Sequence, residues 1–454
     1  MNRISYRIYR MISGARYWVP RRFTPAGLLA MAALIAAGVI GVDMDQTVAF
    51  QGFALAACLL VVAMLLAPFF RGKFAVERFL PRYGSVGQPF TYVVTVRNLG
   101  TTAWRELEFL EELADPRPTY AEYVATKRAI SKTRAFRIAR HPGGISGGVA
   151  GGRHAMLPKP APLPVMPVRG EVEARVELTP LQRGPLRLTG AAVARSDPLG
   201  LFRAFVRVPR AETVLILPKR YVLPAIPLPG TRQYQQGGVT MASAIGQSDE
   251  FVSLRDYRPG DPLRNIHWRS WARTGRPIVK EFQDEFFVRH ALILDTFASL
   301  EQSVAFEEAV AIAASFACTI ATQESLLDLM FVGPQAVCFT TGRGVGHAEQ
   351  ALEILASVRP CREKPFRALQ DLIGQHAGNV CGCICVLLGW DEPRRELVRQ
   401  LRALGQPMLV LIVAEPAAAR AIRADPGPDS PAHFHVLETT KVAEGLQQLE
   451  GVAP

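Results

Sequence analysis

The chain has 454 residues and a formal net charge of +12, and 49% of its residues are hydrophobic while 20% are charged. This length allows two or three domains, and that much apolar sequence excludes a chain that is disordered throughout. A basic balance is compatible with a nucleic acid, an anionic membrane surface or an acidic partner, and the positions of the charges along the chain distinguish among them.

The N-terminal segment, residues 1–23, holds half of the excess positive charge as six arginines and has no acidic residue. Ile4, Ile8, Met11 and Ile12 recur beside these arginines at helical spacing. This pattern is typical of a basic helix lying on anionic lipid, and a disordered basic tail is the alternative. The six arginines are Arg3, Arg7, Arg10, Arg16, Arg21 and Arg22.

Two uncharged apolar stretches, 25–42 and 48–70, lie within residues 24–70. Each is close to the ~20 residues that a helix needs to cross the hydrocarbon core, so we predict a transmembrane helical hairpin. A signal peptide fits the first stretch poorly, because its basic region is long and a second apolar stretch follows at once. Buried core helices are the remaining alternative.

The bases that flank the hairpin predict its orientation, since lysine and arginine next to a membrane span stay in the cytoplasm. Arginines precede the first stretch and four bases follow the second, whereas the connecting loop has two aspartates and no base. We therefore predict that both termini and all of residues 71–454 are cytoplasmic. The loop aspartates are Asp43 and Asp45, and the four following bases are Arg71, Lys73, Arg78 and Arg82.

Residues 71–220 have the pattern of a β domain. Repeated short strands separated by turns predict a small β-sandwich of the immunoglobulin type. A Gly/Pro-rich loop at 141–168 interrupts it, and no Gly-Lys-Ser/Thr follows these glycines to make a phosphate loop. The predicted strands are 90–97, 171–178, 186–194, 202–208 and 213–217, with a turn at 197–200.

A predicted linker at 221–248 and a segment at 249–286 precede residues 287–454, in which apolar strands alternate with helices. Fully apolar strands between helices predict an α/β domain with a mainly parallel sheet. Cys381, Cys383 and Cys385 alternate on one strand, and we interpret them as buried small hydrophobes rather than metal ligands. The strands are predicted at 288–294, 326–332, 336–340, 380–388 and 407–414, and the helices at 303–322, 347–358, 365–376, 392–404 and 440–450.

The segment 249–286 has recognisable turn and helix signals. Pro259–Gly260 predicts a turn, after which Asp261 is a good N-cap and Pro262 suits the first helical position. Gly275 is expected to end this helix. Seven bases and seven acids make the segment neutral, which argues against nucleic acid as its ligand. An intramolecular clasp between domains and a partner-docking surface remain as interpretations.

The stretch EFVSLRDYRPGDPLRNIHWRSWARTGRPIVKEFQDE closely resembles the signature of the bacterial family called domain of unknown function 58. LQRGPLRLTGAAVARSDPLGLF resembles the preceding β region of that family, and the two apolar stretches also match it. The resemblance implies a bacterial inner-membrane protein whose C-terminal domain is similar to von Willebrand factor A domains. The signature residues are Arg255, Tyr257, Arg258, Gly260, Asp261, Arg264, His267, Trp268, Arg273, Lys280 and Glu281.

A von Willebrand factor A domain holds Mg²⁺ at Asp-x-Ser-x-Ser after its first strand, since hard oxygen ligands suit that ion. In this chain Asp295 and Ser299 match the pattern, and Asp391 is a candidate distal carboxylate. Phe297 replaces the first serine, so one direct ligand is missing. The alternative is that Asp295 ends the strand and caps the next turn.

The resemblance implies a scaffold or adaptor associated with a MoxR-type AAA+ ATPase, and sometimes with transglutaminase-like membrane proteins. No complete catalytic constellation is present in the sequence, so we assign no catalytic residue and expect no enzyme. A structural membrane protein without an ATPase partner is the first alternative. A metal-dependent hydrolase that uses Asp295 and Asp391 is the second.

Overall fold

The computed structural model describes residues 2–40, 47–114, 120, 123–124, 159–224, 245–261, 263–286, 289–298, 303–321, 326–341 and 345–451. The chain divides into two compact units at residues 219 and 220. The fold is mixed α+β with several sheets, one of which is mainly parallel, as the sequence predicts. Most of the predicted loop at 141–168 lies outside the described residues.

The first unit begins with three helices, α1 (Asn2–Arg22), α2 (Pro25–Ile40) and α3 (Thr47–Leu66). Within and just beyond α3, the window Phe50–Phe69 has a mean hydropathy of 2.5 and only 11% of it is buried. That helix is long and apolar enough to cross a membrane. The 16 residues of α2 rise about 24 Å, less than the roughly 30 Å hydrocarbon core, so a second span stays a prediction.

The remainder of the first unit is two β-sheets that share one hydrophobic core. One sheet has the antiparallel order β1-β3-β6, and the other has the order β2-β8-β7-β4-β5. Buried side chains from both sheets, such as Val94 and Phe109, meet between them, so the predicted sandwich packing is present. In chain order the strands are β1 (Phe74–Phe79), β2 (Tyr83–Ser85), β3 (Phe90–Asn98), β4 (Leu107–Leu113), β5 (Ala161–Pro162), β6 (Glu171–Leu178), β7 (Gly184–Ser196) and β8 (Arg203–Leu217).

The strands predicted at 202–208 and 213–217 are one continuous strand, β8. Between the pairs Leu188–Glu212 and Gly190–Pro209, a β-bulge places two residues of β8 opposite one residue of β7. The bulge lies next to Pro209, which has no N–H for the ladder, and pairing with β7 resumes on both sides. The predicted turn at 197–200 joins β7 to β8. There the Asp197 carboxylate accepts hydrogen bonds from the backbone N–H groups of Leu199, Leu201 and Phe202.

A buried ion pair links β1 and β4. Arg78 donates to both Glu111 carboxylate oxygens, at 2.6 and 3.3 Å, and both side chains are fully buried. Tyr92 donates its hydroxyl to the same carboxylate at 2.5 Å. Burial and the charge of Glu111 raise the pKa of Tyr92 above its ordinary value, which keeps the phenol a donor. The group is thus satisfied only while all its members are present.

We expect Arg78→Met to lower the free energy of unfolding by about 3–5 kcal/mol, because it leaves the buried Glu111 carboxylate without a counter-charge. Urea denaturation of the detergent-solubilised protein measures the loss. Arg210→Met is the matched control, since Arg210 pairs with Glu77 and Glu212 at the surface and should cost less than about 1 kcal/mol. Equal, small losses in both variants would show that the buried pair contributes no stability.

The second unit contains a two-stranded sheet and a six-stranded sheet. The six-stranded sheet has the order β13-β12-β11-β14-β15-β16 and is parallel except for the edge strand β13. Its strands are β11 (Arg289–Leu294), β12 (Leu326–Val332), β13 (Ala336–Thr341), β14 (Gly382–Leu387), β15 (Met408–Ala414) and β16 (Phe434–Glu438). The helices around it are α5 (Val304–Ala321), α6 (Val345–Ser357), α7 (Arg367–His376), α8 (Glu392–Ala403), α9 (Pro416–Ala424) and α10 (Val442–Gln447).

The predicted strands and helices of this sheet are confirmed, and two further elements, β16 and α9, were not predicted. On β14, Cys383 and Cys385 are fully buried on the face that also packs against Ala291 and Ile293. Burial raises the pKa of the Cys383 thiol to about 12, so it stays protonated. This agrees with the interpretation of Cys383 and Cys385 as small core residues, whereas Cys381 precedes β14 and is only partly buried.

His290 in β11 is fully buried, and neither of its ring nitrogens has a hydrogen-bond partner among the described residues. Burial lowers its pKa to about 4 from the usual 6.5, because a charged imidazole is disfavoured there. His290 takes up a proton near pH 6.5 in the unfolded chain, but only near pH 4 in the folded chain. Stability is therefore complete above pH 6.5 and falls as the pH drops toward 4.

We expect His290→Leu to remove this pH dependence, which amounts to about 3 kcal/mol between pH 7 and 4. Urea denaturation of both proteins across this range measures it. The difference between the two curves isolates His290 from the carboxylates that also titrate. Two parallel curves would contradict the assignment.

Candidate functional site

The chain leaves β11 toward β12 on one side and returns to β14 on the other, which makes the end of β11 a topological switch point. In open parallel sheets the crevice beyond the strand ends at such a point is where ligands bind. Asp295 follows β11 there, and Leu388 to Asp391 follow β14. Asp295 and Asp391, two of the three residues that the sequence predicts as metal ligands, therefore lie at the position where a ligand is expected.

Asp295 is fully buried and both of its carboxylate oxygens are engaged. One oxygen accepts the backbone N–H of Phe297 at 2.9 Å. The other accepts the backbone N–H of Leu388 at 3.0 Å and the Nε–H of Arg394 at 2.6 Å. The carboxylate thereby ties β11, the loop after β14 and helix α8 together.

Arg394 reaches this carboxylate because α8 starts at the same edge of the sheet. Asp391 is the N-cap of α8, and its side chain accepts from the backbone N–H of Arg394. The Nη1 of Arg394 lies 2.5 Å from the Asp391 carboxylate, so one guanidinium bridges both predicted ligands. Burial lowers the pKa of Arg394, but the two carboxylates raise it by more, and the side chain stays charged.

Aromatic rings close the other side of this guanidinium. Arg394 lies 5.2 Å from the ring centroid of Phe366, a cation–π contact. The Phe297 ring packs against the same ring at 5.2 Å, and the Phe297 carbonyl lies 3.4 Å from Nη2 of Arg394. Phe297, which replaces the expected serine, thus packs next to the arginine that holds Asp295.

These residues do not fit a magnesium ion. Asp295 has no unengaged oxygen, Phe297 offers a ring in place of a ligand, and the cation beside both aspartates is Arg394. Ser299 lies outside the described residues. Among the residues that the structure does describe, no three His, Cys, Asp or Glu side chains are grouped to hold a metal. One feature of the sequence points to the arginine: Asp391 precedes a helix, and a base, Arg394, follows it three residues later.

The signature segment forms a second candidate site. The antiparallel strands β9 (Ile245–Asp256) and β10 (Ile278–Phe286) make a hairpin, and β9 starts inside the predicted linker at 221–248. Its tip, residues 257–277, contains a 3₁₀ turn at Leu263–Asn265 and the short helix α4 (Trp268–Thr274). Gly275 ends α4 in the left-handed conformation, as predicted, with φ of 70°.

The expected role of Asp261 as a helix N-cap is wrong. Its carboxylate accepts two hydrogen bonds from Arg255, at 2.7 and 2.8 Å, and one from the backbone N–H of Arg258. These bonds lower its pKa to about 2. Because this carboxylate closes the turn that contains Gly260, it does not cap a helix, and α4 starts later with His267 as its N-cap. Pro262 lies outside the described residues.

An exposed tryptophan, Trp268, lies at the tip beside the half-buried Trp271. The rings of Trp268 and Trp271 stack with centroids 5.2 Å apart, and 63% of Trp268 is exposed. Leu263 is 67% exposed, whereas Ile266 is buried against the hairpin at a bridge to Val279. Ile266 therefore holds the tip against the hairpin, while Leu263 and Trp268 give the tip an apolar exposed surface.

The charges of the segment are separated along the hairpin. Residues 258–276 contain five arginines and one acid, Asp261, which gives the tip a net charge of +4. Most of the acids counted in the segment lie instead on β9 and β10, including Asp284 and Glu285. The segment 249–286 is neutral as a whole, but its tip is basic. The five arginines are Arg258, Arg264, Arg269, Arg273 and Arg276.

The other signature residues hold the hairpin in shape. The backbone N–H of Tyr257 donates to Pro277, and that of His267 donates to Ile278. The His267 ring lies 2.6 Å from the Ser270 hydroxyl. Lys280 pairs with Leu254 in the ladder and Glu281 pairs with Ser253.

Replacing Arg394 by Met should lower the free energy of unfolding by about 3–5 kcal/mol, because Asp295 would remain buried without a counter-charge. The control is Arg395→Met, since the neighbouring Arg395 contacts the Trp390 ring and no carboxylate among the described residues. Urea denaturation compares the two variants.

Calorimetric titration of the wild-type protein and of Asp295→Asn with Mg²⁺ tests for a metal. We expect no saturable heat from the wild-type protein, since Arg394 takes the place of the cation. Saturable binding that Asp295→Asn abolishes would contradict the role given to Arg394.

Residues 253–410, about a third of the chain, match the family model described as Protein of unknown function DUF58. The "Uncharacterized protein YeaD" of Bacillus subtilis (strain 168) is 27% identical over 184 residues, which cover 40% of this chain and 44% of that protein. This chain thus spans less than half the length of that curated relative.

Solved structures are only remotely similar. The CARDB domain of the PF1109 protein from Pyrococcus furiosus, in complex with di-metal ions, has a TM-score of 0.17 and 15% identity, and covers 32% of this chain and 93% of that one. A beta-glucosidase from Listeria innocua has the same TM-score and identity, and covers 32% of this chain and 16% of that one. Similarities this low carry no inference.

Proposed function

Because residues 253–410 belong to the DUF58 family, whose function is unknown, we propose from this chain's own surface that it is a membrane-anchored adaptor. The hairpin tip, residues 257–277, docks a partner protein that has an acidic surface. The exposed Trp268, stacked on the half-buried Trp271 in a basic tip, is the observation that carries the proposal.

Anchoring is supported by α3, whose apolar window of 20 residues matches the thickness of a bilayer. In the proposal α2 and α3 form a hairpin that spans the bacterial inner membrane, so that both termini and residues 71–454 lie in the cytoplasm. Arg78 does not support this orientation, since it is buried in the sandwich. Arg71, Lys73 and Arg82 remain as exposed bases after α3.

Docking at the tip is supported by the chemistry of protein interfaces. Tryptophan and arginine are the residues that most often dominate binding energy, because they combine a large apolar area with polar groups. The Arg255–Asp261 pair and the Gly275 helix end fix the tip before binding, which reduces the conformational entropy lost on association. A net charge of +4 favours an acidic partner and accelerates encounter at low salt.

The proposed partner is a MoxR-type AAA+ ATPase, and a transglutaminase-like membrane protein is a second partner that the family resemblance suggests. The C-terminal unit would then be a von Willebrand factor A-like domain without a metal ion. We propose no reaction for this protein, since Asp295 and Asp391 are held by Arg394. A metal-dependent hydrolase would need those carboxylates for its ion.

Trp268→Ala should reduce recovery of the partner at least tenfold, because an interface tryptophan contributes about 2 kcal/mol or more. The measurement is cross-linked affinity purification of the tagged full-length protein from nuclease-treated native membranes, followed by mass spectrometry. Leu404→Ala is the control, since Leu404 is 58% exposed in the same unit but far along the chain from the hairpin.

Recovery of an ATPase with the wild type and Leu404→Ala, but not with Trp268→Ala, would support the adaptor and its docking surface. Raising the salt concentration before cross-linking should also weaken recovery, since the rim is charged. Equal recovery of the same partners by all three proteins would overturn this surface. Recovery of no partner by abundant, intact protein would favour a structural membrane protein.

A further inference from the structure

Helix α1 turns an aliphatic stripe away from the protein. Ile4, Ile8, Met11 and Ile12 are all exposed, with exposed fractions between 49% for Ile8 and 70% for Met11. Their spacing of three or four residues places these side chains on one face of the helix. Trp18 lies on the same face at the end of α1 and is 47% exposed, with one side of its ring against Phe23 and Phe202.

The opposite face of α1 is polar and aromatic, and it packs inward. The Tyr6 ring contacts the Tyr120 and Tyr123 rings at 5.4 and 5.3 Å, and Tyr9 contacts Tyr123 at 5.5 Å. The Tyr123 hydroxyl donates to Ser5. A helix on the surface of a water-soluble domain has the reverse arrangement, with its apolar stripe inward. The orientation therefore suits a helix whose outer face meets a non-aqueous environment.

Arginines flank the stripe and no acid opposes them. Arg3, Arg7 and Arg10 are exposed along one side of it, and the first acidic residue of the chain is Asp43. The arginines at the end of α1 are instead fixed to the sandwich. Arg21 donates to the Glu111 carbonyl at 3.1 Å and is buried. The three exposed arginines thus remain for phosphate groups of anionic lipid.

The end of α1 is joined to the two apolar helices. Phe23 lies in a cluster with Leu60 of α3, and partly buried Val19 of α1 and Leu28 of α2 pack against that cluster. The cluster also includes Ala63, and Ala67, which directly follows the end of α3 that leads to the sandwich, packs against it. If α3 spans a bilayer, the end of α1 lies close to the depth of the lipid headgroups. The exposed stripe is therefore continuous with the apolar surface of the anchor.

We propose that α1 lies in the plane of an anionic bilayer surface, with its aliphatic stripe inserted and its exposed arginines bound to lipid phosphate. This inference rests on the proposed anchoring by α3 and not on any partner of the hairpin. It assigns the protein a lipid preference in addition to a span.

The test uses the full-length protein in nanodiscs of either phosphatidylcholine alone or an equal mixture with phosphatidylglycerol, each with brominated acyl chains that quench tryptophan. Subtracting the spectrum of Trp18→Phe isolates Trp18 from the other tryptophans. We expect at least half of the Trp18 signal to be quenched in anionic discs, and at least twofold less quenching in neutral discs.

The triple variant Arg3→Gln, Arg7→Gln, Arg10→Gln should remove the difference between the two disc types. Its control carries the same loss of charge at three exposed arginines of the second unit, as Arg359→Gln, Arg362→Gln, Arg367→Gln, and should keep the difference. Raising the salt from 0.05 to 0.5 M should weaken quenching of the wild type in anionic discs, which requires no variant.

An unquenched Trp18 in both kinds of disc would overturn the proposal. Equal quenching in both would overturn the preference for anionic lipid. Protein that co-elutes with neither disc would contradict α3 as an anchor together with α1 as a lipid-binding helix. Discs that hold the protein but leave Trp18 unquenched would contradict α1 alone.

Discussion

The α/β unit depends on one buried charge pair, Asp295 with Arg394. The carboxylate accepts hydrogen bonds from two backbone N–H groups and from the guanidinium, and so joins the end of β11 to the end of β14 and to α8. A carboxylate in a fully buried position requires such partners, since its charge is otherwise strongly destabilising. Because Arg394 is part of the chain, the cation beside Asp295 and Asp391 at the switch point cannot be exchanged for a free ion. The carboxylates at this position therefore connect elements of the fold.

Local patterns in the sequence were enough for most of the second unit. The strands β11, β12, β14 and β15 are buried on both faces, and so appear in the sequence as continuous hydrophobic runs that predict strands. The two missed elements lack that signal: β16 is only partly buried and carries His435, and α9 is a short alanine-rich helix. Arg394 could not be assigned from sequence, because its partner Asp295 is 99 positions away in the chain.

The hairpin shows why a charge count along the chain differs from the charge of a surface. Antiparallel pairing brings the two ends of the segment together and leaves its middle at the tip, so acids at both ends lie apart from arginines in the middle. The helix start was misplaced for a related reason. Asp261 has the local features of an N-cap, but the long side chain of Arg255 reaches it first and turns it into part of a loop.

The junction between the helices and the sandwich has a mechanical consequence. The chain enters the sandwich from α3 through only seven residues, 67–73, and Phe70 is packed against Phe74 and Trp104. A second attachment joins Phe23 and Thr24 to the β7–β8 turn through the Phe202 ring and the Leu201 carbonyl. A pull on the sandwich would load these two attachments in parallel instead of stretching one linker. Two separate attachments therefore restrict rotation of the sandwich relative to the helices as well as its separation from them.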